Sequence, residues 1–347
     1  MGLIPVSKPR VHNMLRLATV FDSIMARAWL TNDGPTVRAL EEQVAARLGV
    51  QHFVAMANGT LALEASVRVL FKPGSVVAIP SFTFVAVASA LVNAGCHLRF
   101  IDIDPNTWTA HWCHAKTMLA RIAGFMVPNT FGIAPNHKFS VLGIPVIYDN
   151  AEGFGTHRGM WGGLDAYSFH ATKVVNAAEG GGVATNDDGV ATLLRQWRNF
   201  GFDNQTPGGV AVTLGTNAKM SELHAAWGLL SLGDEYIEKK ARQELLDVYR
   251  TNLHGVVRFQ QGQPLQCVVL VENRDKVALA LKAEGIDSRP YFYPIHRMPP
   301  FQKYAEPDTP LAATDYVAAR ALALPLWSGL RVQDVERICK IVRETEG

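Results

Sequence analysis

Residues 145–187 read PVIYDNAEGFGTHRGMWGGLDAYSFHATKVVNAAEGGGVATND. An apolar run, 144–148, ends on Asp149. A second run, 165–170, alternates in polarity and leads into Ala171-Thr172-Lys173. A glycine-rich turn at 179–182 opens a third apolar run. The pattern predicts three strands, with an acid at the end of the first and a lysine just past the second. In an α/β sheet, side chains at the carboxyl ends of strands face the crevice where ligands bind. An amine in an apolar setting sheds its proton and becomes a nucleophile.

A lysine that forms a Schiff base and an acid on a pyridinium nitrogen are the two groups that pyridoxal phosphate requires of a protein. The order and wording of this stretch resemble the DegT/DnrJ/StrS family of sugar aminotransferases, fold type I enzymes that use this cofactor. The family's acid-Ala-Ala-Gln/His pattern stands here as Asp149-Asn150-Ala151-Glu152, and its SF-H/P-x-TK…EGG pattern as Ser168-Phe169-His170-Ala171-Thr172-Lys173 and Glu179-Gly180-Gly181. The similarity runs from about Trp29 to residue 326. It implies that Lys173 holds the cofactor and moves protons to and from the substrate carbon. It also implies that Asp149, ionised, keeps the pyridine nitrogen protonated.

Working outward, strands and helices alternate through the first 230 residues, which argues for a mostly parallel, helix-covered sheet. The resemblance implies a seven-stranded α/β large domain over 1–235. A linking helix and a smaller C-terminal α+β domain follow over 236–347, with two helices finishing the chain. Strands are expected at 53–57, 76–80, 99–103 and 125–127, and helices at 61–70 and from 81 to about Gly95. The strand, the Asn58-Gly59-Thr60 turn and the helix after it form an anion site, because free amides and the helix dipole both favour a phosphate. By resemblance, Gly59, Thr60 and Ser168 bind the cofactor phosphate and fix the ring. A helix cap is the plain alternative at Gly59 and Thr60. Phe84 matches the family's aromatic residue that stacks on the cofactor ring, and Phe82 does not; the alternative is that Phe84 belongs to the core. In Gly215-Thr216-Asn217-Ala218-Lys219-Met220-Ser221-Glu222, Asn217 matches the residue that reaches the phosphate of the neighbouring subunit, which implies a homodimer. Ser221 also fits a helix N-cap. The Trp29–Pro35 wording either lies near the site or simply caps the next helix.

The implied reaction is amino transfer from glutamate or glutamine to a keto group of a nucleotide-linked deoxysugar. The His-Ala-Thr-Lys wording resembles members that aminate C4, and amination at C3 is the alternative. Members that dehydrate sugars carry histidine at the lysine position, which Lys173 argues against. A non-catalytic binding protein on the same fold is the second class of function. One departure stands out: Glu152 occupies the Gln/His position beside the cofactor's phenolic oxygen, where an anion is unfavourable unless protonated or turned away.

Composition narrows the rest. The 347 residues are 48% hydrophobic and 18% charged, with a formal charge of +2 and no long basic run. Nucleic-acid binding therefore lacks electrostatic support. Cys96, Cys113, Cys267 and Cys339 form no CxxC, which suits a reduced, cytoplasmic protein. No apolar run is long enough to span a bilayer. His111-Trp112-Cys113-His114 lacks a second ligand pair at zinc spacing, so no metal is expected. No GxGxxG follows an early strand, which removes the nicotinamide fingerprint.

Overall fold

The computed structural model of the protein describes residues 2–156, 161–203, 209–262, 264–306 and 310–346. An N-terminal arm precedes α1 (Met14–Arg27), and α2 (Pro35–Leu48) follows. The large sheet is then laid down by β1 (His52–Met56), α3 (Gly59–Leu70), β2 (Val76–Pro80), α4 (Ala86–Asn93) and β3 (His97–Ile101). It continues through α5 (Trp112–Thr117), β4 (Gly124–Pro128), β5 (Val146–Asp149), β6 (Leu164–Ser168), β7 (Gly181–Thr185) and α6 (Asp188–Arg198). After α7 (Glu222–Gly233), the long helix α8 (Glu235–Asn252) leads to β8 (Arg258–Phe259) and β9 (Cys267–Leu270). The chain closes with α9 (Arg274–Ala283), β10 (Arg289–Pro290), α10 (Ala312–Arg320), β11 (Ala321–Leu324) and α11 (Val332–Glu346).

The first sheet has seven strands in the order β1-β7-β6-β5-β4-β2-β3. The ladders β6-β5, β5-β4, β4-β2 and β2-β3 are parallel, while β7 runs antiparallel to both β6 and β1. The predicted mostly parallel, helix-covered sheet is therefore the one observed. Alternation along each strand sends side chains to two cores. Val54, Met56, Ile147 and Ala166 pack with α3, α4 and α6, whereas Phe53, Ala55 and Tyr167 pack with α2 and α7. In α2, Val37, Leu40, Val44 and Leu48 recur at helical spacing and are all buried. A second sheet, β10-β11-β9-β8, is backed by α8, α9 and α11. The N-terminal arm ties itself to this second unit: Asp287 donates its amide to the Ile4 carbonyl at 2.8 Å, and Leu326 donates to Val6 at 3.1 Å. Among the described residues, no helix is long and apolar enough to cross a membrane.

Several expectations need correction. The strand expected at 99–103 lies at His97–Ile101, and Ile103 instead bridges Ala110. The helix expected from 81 starts at Ala86, because residues 81–84 bend across the end of β2. The chain does not finish on two helices alone. β11, Ala-Leu-Ala-Leu, lies between α10 and α11 and pairs with both β9 and β10. Its alanines read as helix, yet all four residues are buried, and pairing from both sides satisfies the backbone. The 203–209 stretch, read from its Asn, Pro and Gly content as a loop, lies partly outside the described residues.

The Gly34-Pro35 turn opens α2, and its cap comes from far along the chain. Both oxygens of buried Glu222 accept α2 amides, from Thr36 and Val37, each at 2.9 Å. A Cβ on Gly34 would lie 2.6 Å from the Glu222 carboxyl carbon, so a side chain here would displace the carboxylate that caps α2. Ser221 is the predicted N-cap of α7, accepting from the His224 amide at 3.3 Å.

Candidate active site

The carboxyl ends of β1, β5 and β6 and the start of β7 meet at one edge of the large sheet. The register places Gly181 opposite both Met56 and Ser168. Glycine is required here: a Cβ at 181 would lie 2.5 Å from the Tyr167 carbonyl and 2.7 Å from the Gly59 nitrogen. The antiparallel β7 thereby draws Ser168 against the first turn of α3. Asn58 caps that turn, its side chain accepting from the Leu61 amide at 2.8 Å. A Cβ on Gly59 would meet the Ser168 Cβ at 2.8 Å, so the Ser168 hydroxyl and the helix N-terminus share a space that only a bare glycine leaves open.

A cavity of about 370 Å³ opens above this edge. Gly59, Thr60, Phe84, Asp149, Ser168 and Lys173 all line it. Asp149 ends β5 and is buried, and its Oδ1 accepts the Ala151 amide at 3.0 Å. Burial pushes its carboxyl up to about 6; the Ala151 amide and the Lys173 charge pull it back. Lys173 follows β6 in a turn, with its amide on the His170 carbonyl at 2.9 Å. Its Nζ donates to Glu152 Oε1 at 3.1 Å, and Gln266 Nε2 donates to the same oxygen. Glu152 is thus not a free anion: its charge is met by the lysine and by an amide from the second unit.

The burial of the two phenylalanines separates them. Phe82 is fully buried against Phe131 and Phe292, whereas Phe84 is 59% exposed on the cavity wall. The core reading of Phe84 is therefore wrong. Asn217 is exposed, makes an isolated bridge with Asn199, and does not line this cavity of its own chain. His111 caps α5, and the His114 ring accepts the Asp102 amide at 3.0 Å, so both histidines serve the backbone. Arg289 on β10, which opens the stretch 289–296 that resembles the family's second-domain signature, also lines the cavity; among the lining residues that sequence reading missed are Arg242 on α8 and Gln266 beside β9. Neither Arg242 nor Gln266 sits in a motif, and the fold alone carries them to the cavity.

Residues 16–343 match the DegT/DnrJ/EryC1/StrS aminotransferase family, and the chain belongs to it. It is a pyridoxal phosphate-dependent aminotransferase. A transaminase of Shigella dysenteriae named for dTDP-4-amino-4,6-dideoxy-D-glucose is 29% identical, over 98% of this chain and 98% of its own. A 3-aminotransferase of Acidithiobacillus ferrooxidans, named for UDP-N-acetyl-3-dehydro-alpha-D-glucosamine, is 31% identical, over 89% and 88%. The crystal structure of DesI in the presence of its TDP-sugar product superposes with a TM-score of 0.90 at 33% identity, covering 99% of this chain and 93% of that one.

Proposed function

We propose that the protein transfers an amino group from glutamate, or glutamine, to the C4 keto group of a nucleotide-linked 4-keto-6-deoxysugar. One observation carries the reading. Lys173 Nζ and the Asp149 carboxylate lie in one cavity with the α3 N-terminus, at the ends of neighbouring strands. The likeness to the transaminase named for a 4-amino sugar supports C4. The likeness to the enzyme named for a 3-dehydro sugar favours C3 as the second reading.

The residues present fit pyridoxal phosphate. The α3 N-terminus and Ser168, which line the cavity side by side, suit a phosphate. Thr60, on the first turn, adds its hydroxyl. Asp149, held at a raised pKa by burial, lacks a strong counter-charge, and a pyridinium nitrogen is the cation that would complete it. Phe84 offers an exposed ring to a flat cofactor. Bound there, the cofactor supplies an electron sink for the substrate carbon. Lys173 holds it and carries the proton, and Glu152 and Gln266 keep Nζ in place when it is free. Asn217, outside its own cavity, would serve the partner's phosphate in a homodimer. The large unit would end near 235, and unpaired Cys96, Cys113, Cys267 and Cys339 suit a cytoplasmic setting. Mass spectrometry and NMR of products from a panel of keto-sugar nucleotides test the reading. Turnover of none of them, with either donor, would reject it.

A further inference from the structure

Arg242 stands midway along α8 and lines the same cavity as Lys173. It is 8% exposed, and its Nε has no hydrogen-bond partner. Its ion pair with Glu238 Oε2 is loose, at 3.7 Å. Glu238 is engaged elsewhere: its Oε1 accepts from Arg10 at 2.9 Å and from Ser328 at 2.7 Å. Glu152, the other carboxylate acting on Arg242, gives its Oε1 to Lys173 and Gln266. A guanidinium taken out of water costs several kcal/mol unless an anion meets it closely. Glu238 Oε2 meets it only at 3.7 Å, too long for a close charged hydrogen bond.

We propose that Arg242 is a substrate-binding residue that takes the α-carboxylate of the amino-acid donor. The inference rests on the reaction assigned above and adds the donor's subsite to it. The planar fork of arginine matches a carboxylate with two parallel hydrogen bonds. Position selects the donor over the sugar nucleotide. Arg242 is close enough to Glu152 to feel its charge, and Glu152 lies 3.1 Å from Lys173 Nζ. Arg242 and Lys173 line one cavity, so an anion on Arg242 shares that cavity with the reacting nitrogen. In an amino acid, the carboxylate is attached to the very carbon that carries the amine. In a nucleotide sugar, the diphosphate lies across the sugar ring from a C4 keto group. The cavity's other arginine, Arg289, is exposed.

The test uses 2-methylglutamate, whose methyl group replaces the proton that transamination removes. Its binding to the cofactor-loaded enzyme is followed by calorimetry. Wild-type protein binds it, and Arg242→Gln binds it roughly 10- to 100-fold more weakly, the loss expected for a charged hydrogen-bonded contact. The α-amide of 2-methylglutamate keeps the side-chain carboxylate but has no α-carboxylate, so it binds both proteins alike. Arg242→Lys keeps the charge and the stem but not the fork, and falls between the two. Retained cofactor absorbance shows that each variant is folded. Equal binding of 2-methylglutamate by wild type and Arg242→Gln overturns the proposal. So does an equal loss of nucleoside diphosphate affinity, which would place the sugar nucleotide on Arg242. Failure of the wild type to bind either 2-methylglutamate or 2-methylglutamine rejects both proposed donors, and this subsite with them.

Discussion

Asp149→Asn separates the cost of burying an acid from its use. Burial raises the Asp149 carboxyl from 3.8 to about 6, and the largest cause is desolvation. An acid raised on folding favours the folded state fully below its unfolded pKa, and that contribution is lost as pH climbs through the folded value. The window here runs from about pH 4 to about pH 7. A rise of about two units corresponds to about 3 kcal/mol of lost stability at the alkaline end. Asparagine keeps the shape and can still accept the Ala151 amide, yet carries no charge. With an unfolding entropy of about 2.1 cal/mol/K per residue over the chain, about 3 kcal/mol is roughly 4 °C. Cofactor-free Asp149→Asn is therefore expected to melt with the wild type near pH 4 and roughly 4 °C above it at pH 8. With pyridoxal phosphate added, the order changes. The ionised wild type gains the pyridinium contact, and the variant gains only the phosphate and ring contacts. Single-turnover rates at saturating cofactor should fall in the variant by far more than cofactor occupancy does. Scanning fluorimetry from pH 4 to 8, with and without cofactor, reads the first two effects. A melting difference that ignores pH, or turnover unchanged in the variant, would refute the reasoning.

Four further outcomes follow from the same geometry. Lys173→Ala should lose at least the ~10²–10⁴-fold that a positioned acid–base group supplies, with cofactor-free stability little changed; steady-state kinetics check it. Glu152→Gln removes an ion pair whose side chains are 21% and 19% exposed, so solvent screening holds the change in stability to within about 1 kcal/mol, read by denaturant titration. Gly59→Ala presses a methyl group onto Ser168, only 2.8 Å from its Cβ, and should weaken cofactor binding by about tenfold or more in equilibrium dialysis while the fold persists. Lys173→Ala and Asn217→Asp, each inactive or poor alone, should regain activity when unfolded and refolded together, since one site of the mixed dimer carries neither lesion; absence of recovery in confirmed heterodimers would remove Asn217 from the shared site.

The parts of the site that were legible are those whose chemistry needs local backbone geometry. Asp149 and Ser168 end strands, Gly59 follows one, and Gly181 starts one, so turns and alternation mark them in a single sequence. Glycine at 59 and 181 reports the close approach of two backbones, which the clashes of an added Cβ explain. Phe84 and Phe82 differ only in which way a bend turns them, and the residue types alone left that open. Arg242 falls within the expected linking helix and carried no signal of its own, because its burial depends on where α8 crosses the cavity. β11 was hidden for another reason. Its alanines favour helix, and only pairing with β9 and β10 makes a strand of them. Glu222 looked like one letter of a motif. Its role as the cap of α2 joins positions 186 and 185 residues apart and has no local signature.

The most direct test of the proposed function follows the nitrogen. Glutamate labelled with nitrogen-15 is incubated with the cofactor-loaded protein and a nucleotide-linked 4-keto-6-deoxysugar, and the product is examined by mass spectrometry and NMR. Amino transfer to the C4 keto group predicts one nitrogen-15 atom bonded to C4 of the sugar, formed by wild type and not by Lys173→Ala. Label at C3, or no label in any sugar nucleotide while the cofactor is bound, would contradict it.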